Sequence, residues 1–259
     1  MKGTLFLKPL EWQLMIEGEA WSQGQLLKGT LTVKNHGTTE VKLKDLGLSL
    51  IFADLKKVRQ NSGEKFKAEQ NVLFDKSQKV APKATAELAW TIQLDKNCPI
   101  TDKKSSYYLQ YGHDDKQTGA YLQLIVNPQN IFLKLSELLD VFFRFKVKEK
   151  KCSKTGVEFK LVPPDAKDFL GMDDCSIIMN LDDKNNLNLE YFFTLKKLDY
   201  TSNAGVGLKS MGLTKSNMEF KQSFTPKEYL LLKDALNQDF LLKKIPEVLN
   251  QVKTKSFVN

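Results

Sequence analysis

The sequence predicts an all-β chain: two tandem β-sandwich domains, a short linker helix between them, and helices at the carboxy end. Three observations carry this. Before residue 128, Ala86-Leu88-Trp90-Ile92-Leu94 alternate with Glu87, Ala89, Thr91 and Gln93; beyond it, Leu187-Leu189-Tyr191-Phe193-Leu195 alternate with Asn188, Glu190, Phe192 and Thr194. Period-two alternation is the mark of strands with one buried face. Between these blocks Asn127-Pro128 interrupts the strand pattern, since proline cannot donate to a central ladder, and Ile131–Asp140 follows with helical spacing. At 259 residues, two domains suit the usual domain size better than one sandwich. The predicted boundaries are 1–128 for the first sandwich, 129–224 for the second and 225–259 for a helical segment.

In the first block Gln13–Glu17 is a short strand with Leu14 and Ile16 inward. Gly24 turns the chain into Leu27-Gly29-Leu31-Val33, and Asn35-His36-Gly37 turns it back. Val41 to Phe52 forms the next strand, with a phase slip at Lys44-Asp45 that suggests a bulge. Residues 54–70, polar and centred on Asn61-Ser62-Gly63, read as a long exposed loop or hairpin. Strands at Tyr107–Tyr111 and Gly119–Val126 bracket the turn Gly112-His113-Asp114-Asp115. Turn signals at such intervals suit a sandwich.

In the linker, Ile131, Leu135, Leu138 and Leu139 share one helical face. The second block opens with a strand at Phe143–Lys151, then Val157-Phe159-Leu161, the Pro163-Pro164 turn, Ile177-Met179-Leu181 and the Asp182–Asn186 turn before Leu187. Gly205–Gly212 is a glycine-bearing loop and Met218-Phe220 the last strand. Thr225-Pro226-Lys227-Glu228 then supplies a capping threonine, proline at the first helical position and the glutamate of a capping box. That helix is predicted to reach about Leu236, followed by an amphipathic stretch from Phe240 to Val252 that Pro246 breaks or kinks.

Composition narrows the function classes. A hydrophobic fraction of 41% is that of a globular chain, and Lys+Arg 39 against Asp+Glu 31 gives a net charge of +8. The surplus is modest and spread along the chain; it favours acidic partners such as anionic lipid or acidic protein segments, and it equally serves simple solubility. Cys98, Cys152 and Cys175 are odd in number and widely spaced, which fits a reducing compartment rather than a disulfide framework. With no signal-peptide pattern at Met1–Pro9 and no apolar run of membrane-span length, the expected location is cytoplasmic.

Three stretches resemble the arrestin-like proteins, and within them the bacterial sporulation-control family. Gly24-Gln25-Leu26-Leu27-Lys28-Gly29-Thr30-Leu31-Thr32-Val33 is similar to the early glycine-containing strand of arrestin domains. Trp90–Leu94, Cys98-Pro99-Ile100-Thr101 and Tyr107–Tyr111 resemble the late edge of the amino-terminal sandwich. Phe142-Phe143-Arg144-Phe145 through Val157–Pro163 resembles the start of the second domain of the sporulation-control proteins. The likeness spans roughly residues 10–222 and implies an arrestin-like fold with an adaptor or regulatory role. It departs at Asp95, where many arrestin domains have proline, and Pro163-Pro164 continues as Asp165-Ala166, so no Pro-Pro-x-Tyr motif is formed. No residue matches the phosphate-sensing lysines of visual arrestins, so receptor binding is not implied, nor is sporulation itself.

The candidate partner-binding residues are Arg144, Lys146, Lys148 and Lys150, which alternate with Phe143, Phe145 and Val147 and are expected to project from one strand face. Such a row suits an acidic or extended peptide; the competing reading is a solvated edge strand that lysines protect from aggregation. The alternative partner is an anionic membrane surface, met by this basic strand and the amphipathic carboxy-terminal segment. Nucleic acid is not expected, because no aromatics interleave with these cations on the same face. The oligomeric state is not legible.

No catalytic, metal or cofactor site is expected. His113-Asp114-Asp115 lacks further ligands, Asp182-Asp183-Lys184-Asn185-Asn186 lacks the glycine and glutamate of a calcium loop, and Gly205-Val206-Gly207-Leu208 lacks the lysine of a phosphate loop. No Gly-x-Ser-x-Gly occurs, and the paired aspartates Asp114-Asp115, Asp173-Asp174 and Asp182-Asp183 sit in turn-like contexts. The reading is a non-enzymatic binding protein.

Overall fold

The computed structural model describes all residues except 43–45, 61–65, 67, 73–78, 114–118, 202–209, 233–234 and 254–259; at 46, 113, 197–201 and 210–213 it describes the backbone. The chain divides into two compact units, Met1–Gln129 and Asn130–Asn259. The all-β class is observed, with few helices.

Unit 1 contains β1 (Lys2–Leu7), β2 (Leu10–Ile16), β3 (Trp21–Ser22), β4 (Leu26–Asn35), β5 (Val41–Lys42) and β6 (Leu46–Asp54). After these come α1 (Leu55–Arg59), β7 (Ala68–Val72), β8 (Lys79–Val80), β9 (Thr85–Gln93), β10 (Ser105–His113), β11 (Ala120–Leu124) and β12 (Val126–Asn127). Two four-stranded sheets form, in the orders β1-β2-β4-β9 and β11-β10-β6-β7. Their inner faces meet in one core that joins Trp12, Leu14, Leu31, Val33 and Trp90 of the first sheet to Leu48, Leu50, Leu109 and Leu124 of the second. The alternation that predicts β9 is realised directly: Leu88, Trp90 and Ile92 are buried while Glu87, Ala89, Thr91 and Gln93 are exposed.

Gly29 lies where β4 is squeezed between neighbours. It pairs with Ile16 and with Trp90, and a Cβ there would stand 2.1 Å from the Met15 carbonyl oxygen. Asn35, fully buried, holds the following turn: its Nδ2 donates to the carbonyls of Thr39 (2.7 Å) and Val80 (3.1 Å), and its Oδ1 accepts from Gly37 N–H (2.9 Å). At the end of the unit, β12 pairs in parallel with β3, and Gln129 N–H donates to the Gln23 side chain at 3.2 Å.

Three expectations for unit 1 change. β1 is absent from the sequence reading, because its residues alternate between exposed, Phe6 among them, and only half-buried, which gives no clear apolar alternation. The segment 54–70, expected as a hairpin or a loop, narrows to the hairpin: β7 pairs antiparallel with β6, and Asp54 caps α1 between them by accepting from Lys56 N–H at 2.8 Å. The strand expected over Gly119–Val126 is two, β11 and β12, in different sheets. The bulge at Lys44-Asp45, the Asn61-Ser62-Gly63 turn and the Asp114-Asp115 pair lie outside the described residues.

Unit 2 begins with α2 (Asn130–Phe143), longer than the expected Ile131–Asp140, and continues through β13 (Lys146–Cys152), β14 (Val157–Val162), β15 (Met172–Leu181), β16 (Leu187–Thr201) and β17 (Ser210–Phe224). It ends with α3 (Pro226–Tyr229) and α4 (Gln238–Val252). The five strands make one antiparallel sheet in chain order. One face buries Phe159, Ile177, Met179, Leu189, Tyr191 and Phe193. Helix α4 covers part of that face: Gln222 Nε2 donates to the Lys244 carbonyl at 2.8 Å, and Phe240 meets Phe224 edge-on at 5.3 Å. Its own apolar stripe, Leu241, Ile245, Val248, Leu249 and Val252, is buried.

The helix predicted from Thr225 to about Leu236 is a single turn. Glu228 does accept from Thr225 N–H at 2.7 Å, so the start is as expected. Leu230 then takes extended dihedrals, φ −115° and ψ 143°, and bridges to Leu236. A capping box specifies where a helix begins, not how far it runs. Of the loop expected over Gly205–Gly212, residues 205–209 fall outside the described residues and Ser210, Met211 and Gly212 belong to β17 instead.

Candidate functional site

The basic segment is built on the end of α2 and the first strand of the sheet. Arg144 is not in the strand. It adopts φ 62° and ends the helix, its N–H donating to Asp140 O at 3.0 Å while Phe145 N–H reaches back to Leu139 O at 3.1 Å. This is the left-handed residue that terminates many helices, a position usually held by glycine. Phe145 is buried, with the Phe169 ring 5.2 Å away.

The strand itself does not present one row of cations. Its pairing with β14 shifts between Val147 and Glu149, so Lys148 lies in a bulge. Residues directly opposite in an antiparallel pair share a face. Lys146 stands opposite Val162 and Lys150 opposite Phe159, positions of opposite parity on β14, so the two lysines point to opposite faces of the sheet. Lys151 pairs with Glu158 at 3.0 Å. The expected one-sided row of Arg144, Lys146, Lys148 and Lys150 is therefore replaced by three exposed lysines that fringe both faces of an edge, with Arg144 at the preceding turn. Period-two reasoning fails here because a single inserted residue inverts the phase. β13 is the outermost strand of its sheet, and no described strand pairs with its other side.

A second feature was not foreseen. Lys134, Glu137, Leu138, Val141 and Phe142 of α2, with Ala235, Leu236 and Gln238, line a cleft of about 580 Å³. Val141 and Phe142 are exposed, as are Leu231 and, at 82%, Leu232 in the adjoining turn, where Leu231 N–H donates to Ala235 O at 2.9 Å. The only sequence signal is that Val141 falls off the apolar face of α2; Phe142 continues the Leu135–Leu138–Leu139 face by spacing, so its exposure is not legible from the pattern.

At the far side of the sheet, Lys196 and Lys215 are directly opposite across β16 and β17. The register shift in β15 between Met172 and Asp174 aims the Asp173 carboxylate between them: it contacts Lys196 Nζ and lies 2.6 Å from Lys215 Nζ. Hydrogen bonds from Lys196 and then Lys215 hold its carboxyl below the ordinary value, and the same bond raises Lys215.

Chemistry is sparse elsewhere. Cys175 is buried, and burial followed by the charge of Asp174 pushes its thiol up to about 12. A thiol so placed is a poor nucleophile. Asp182 closes its turn by accepting from the N–H groups of Lys184 (2.9 Å) and Asn186 (2.8 Å). Among the described residues no group of three His, Cys, Asp or Glu side chains is disposed to hold a metal ion, and no helix is long and apolar enough to cross a membrane. The stripe of α4 that the membrane reading relied on faces inward.

The fold has a solved counterpart. The crystal structure of Spo0M, a sporulation control protein from Bacillus subtilis, matches with a TM-score of 0.62 at 17% sequence identity, covering 95% of this chain and 100% of that chain. The chain has a Spo0M-like, arrestin-like fold. No protein-family model and no curated protein matches the sequence.

Proposed function

We propose that this chain is a non-enzymatic, arrestin-like adaptor or regulatory protein that binds protein partners, taking an acidic extended peptide along the outer edge of β13. The observation that carries the reading is that edge: its far side is unpaired among the described residues, and it bears exposed Lys146, Lys148 and Lys150. An added strand gains affinity from backbone hydrogen bonds, and lysines on both faces select acidic side chains whichever way they alternate. The same lysines and the bulge disfavour a second basic edge. The likeness to a sporulation control protein supports a regulatory rather than a catalytic role.

The test uses a fluorescent peptide of alternating glutamate and valine, followed by anisotropy at low salt. Lys146→Glu, Lys148→Glu and Lys150→Glu together should weaken binding about tenfold or more, and Arg144→Glu much less. Equal affinity in wild type and triple variant would remove the edge from the proposal. Binding of the full chain to anionic phosphatidylserine vesicles but not to the peptide would replace it with the membrane reading.

A further inference from the structure

The other outer strand of this sheet has the opposite character. β17 pairs with β16 without a register shift from Leu187↔Phe224 to Thr201↔Ser210, and no described strand pairs with its outer side. A long regular edge of this kind templates pairing with another chain unless it is interrupted or covered. β17 has no bulge, and its exposed face reads Lys215, Asn217, Glu219, Lys221, Ser223, charges of both signs rather than a uniform row.

We infer that β17 pairs antiparallel with β17 of a second copy, the two-fold axis passing through Phe220. A two-fold normal to a sheet sets one residue opposite itself, and its neighbours then pair symmetrically. An axis at Met218 opposes Lys215 to Lys221; one at Glu219 opposes two glutamates, and one at Lys221 two lysines. An axis at Phe220 sets Glu219 opposite Lys221 twice and Asn217 opposite Ser223 twice. On the other face it sets Phe220 against Phe220 and Met218 against Gln222. Within each chain Lys221 already bonds Glu190 at 2.9 Å across β16. The dimer therefore continues an alternating Glu190–Lys221–Glu219 row from one copy into the next, which is the complementarity that fixes strand register. An axis at Asn217 also opposes unlike charges, Lys215 to Glu219, but it sets Lys221 opposite Leu213 and so breaks the Glu190–Lys221–Glu219 row. This inference goes beyond the proposed function, since it concerns a different edge and a different partner.

Sedimentation velocity on the full chain across a concentration series tests it. Wild type should show a monomer–dimer equilibrium, Glu219→Lys and Lys221→Glu should each weaken it about tenfold, and the double swap Glu219→Lys/Lys221→Glu should restore it. Far-UV circular dichroism checks that each variant folds. A wild type that stays monomeric at roughly 100 µM, where even micromolar dimers are populated, overturns the inference. Failure of the double swap to restore the dimer also overturns it, because the Asn217 register would not be rescued by that exchange.

Discussion

Gly29→Ala isolates the closest approach in unit 1. The backbone there is not in the left-handed region, so the substitution adds no dihedral strain; what matters is space. An alanine Cβ would lie 2.1 Å from the Met15 carbonyl oxygen and 2.5 Å from the Trp90 indole. A side-chain neighbour yields at modest cost, but Met15 O belongs to a backbone already paired in the sheet, so β2 and β4 must separate. Overpacking costs about 1–3 kcal/mol, and the backbone clash sets this case near the upper end. About 3 kcal/mol corresponds to a fall in Tm of about 10 °C for a unit of this size. The assay is unusually clean, because Trp12, Trp21 and Trp90 all belong to unit 1 and unit 2 has no tryptophan. Urea unfolding followed by tryptophan fluorescence thus reports unit 1 alone. In a double-mutant cycle Trp90→Phe removes the indole contact but not the carbonyl, so the coupling energy should stay below about 1 kcal/mol. A Gly29→Ala variant within about 0.5 kcal/mol of wild type, or full rescue by Trp90→Phe, would refute the reasoning.

Asn35→Ala leaves the Thr39 and Val80 carbonyls and the Gly37 N–H without their side-chain partner, and should cost about 2–3 kcal/mol in the same tryptophan-monitored experiment. Asp173 has its folded pKa below the ordinary 3.8, so its contribution is full above that value and is lost as pH falls through the lowered one. Asp173→Asn should flatten the acid limb of stability against pH and speed amide exchange in β16 and β17, while leaving the tryptophan signal unchanged. Native thiol labelling with a water-soluble disulfide reagent at pH 8 should modify half-buried Cys152 first and reach Cys98 and Cys175 only after denaturant is added.

The parts of the fold legible in the sequence are those where burial and alternation coincide. β9 and residues 187–194 of β16 follow their patterns residue by residue because each has one face in a core. β1 escapes because half-buried positions do not separate apolar from polar. The candidate site was less legible. Four basic residues at spacing two look like one face, yet Arg144 closes a helix and the bulge after Val147 inverts the rest. Both are single-residue backbone events whose energetic origin, a helix end and a register set by β14, lies outside the motif. The cleft joins residues 134–142 to 235–238, a juxtaposition that no local pattern contains.

The chain-order arrangement of unit 2's sheet bears on how fast it forms. β13 to β17 each pair with the next strand along the chain, so every pairing there closes one hairpin. In unit 1, by contrast, β4 must find β9 and β6 must find β10, with intervening chain still to be confined. Short closures cost less entropy before contacts form, and ln k rises as contact order falls. After a jump out of denaturant, backbone signal from residues 130–259 should therefore recover while the three tryptophans still report an open unit 1. Of the two units, the one that comes second along the chain is the one that closes sooner.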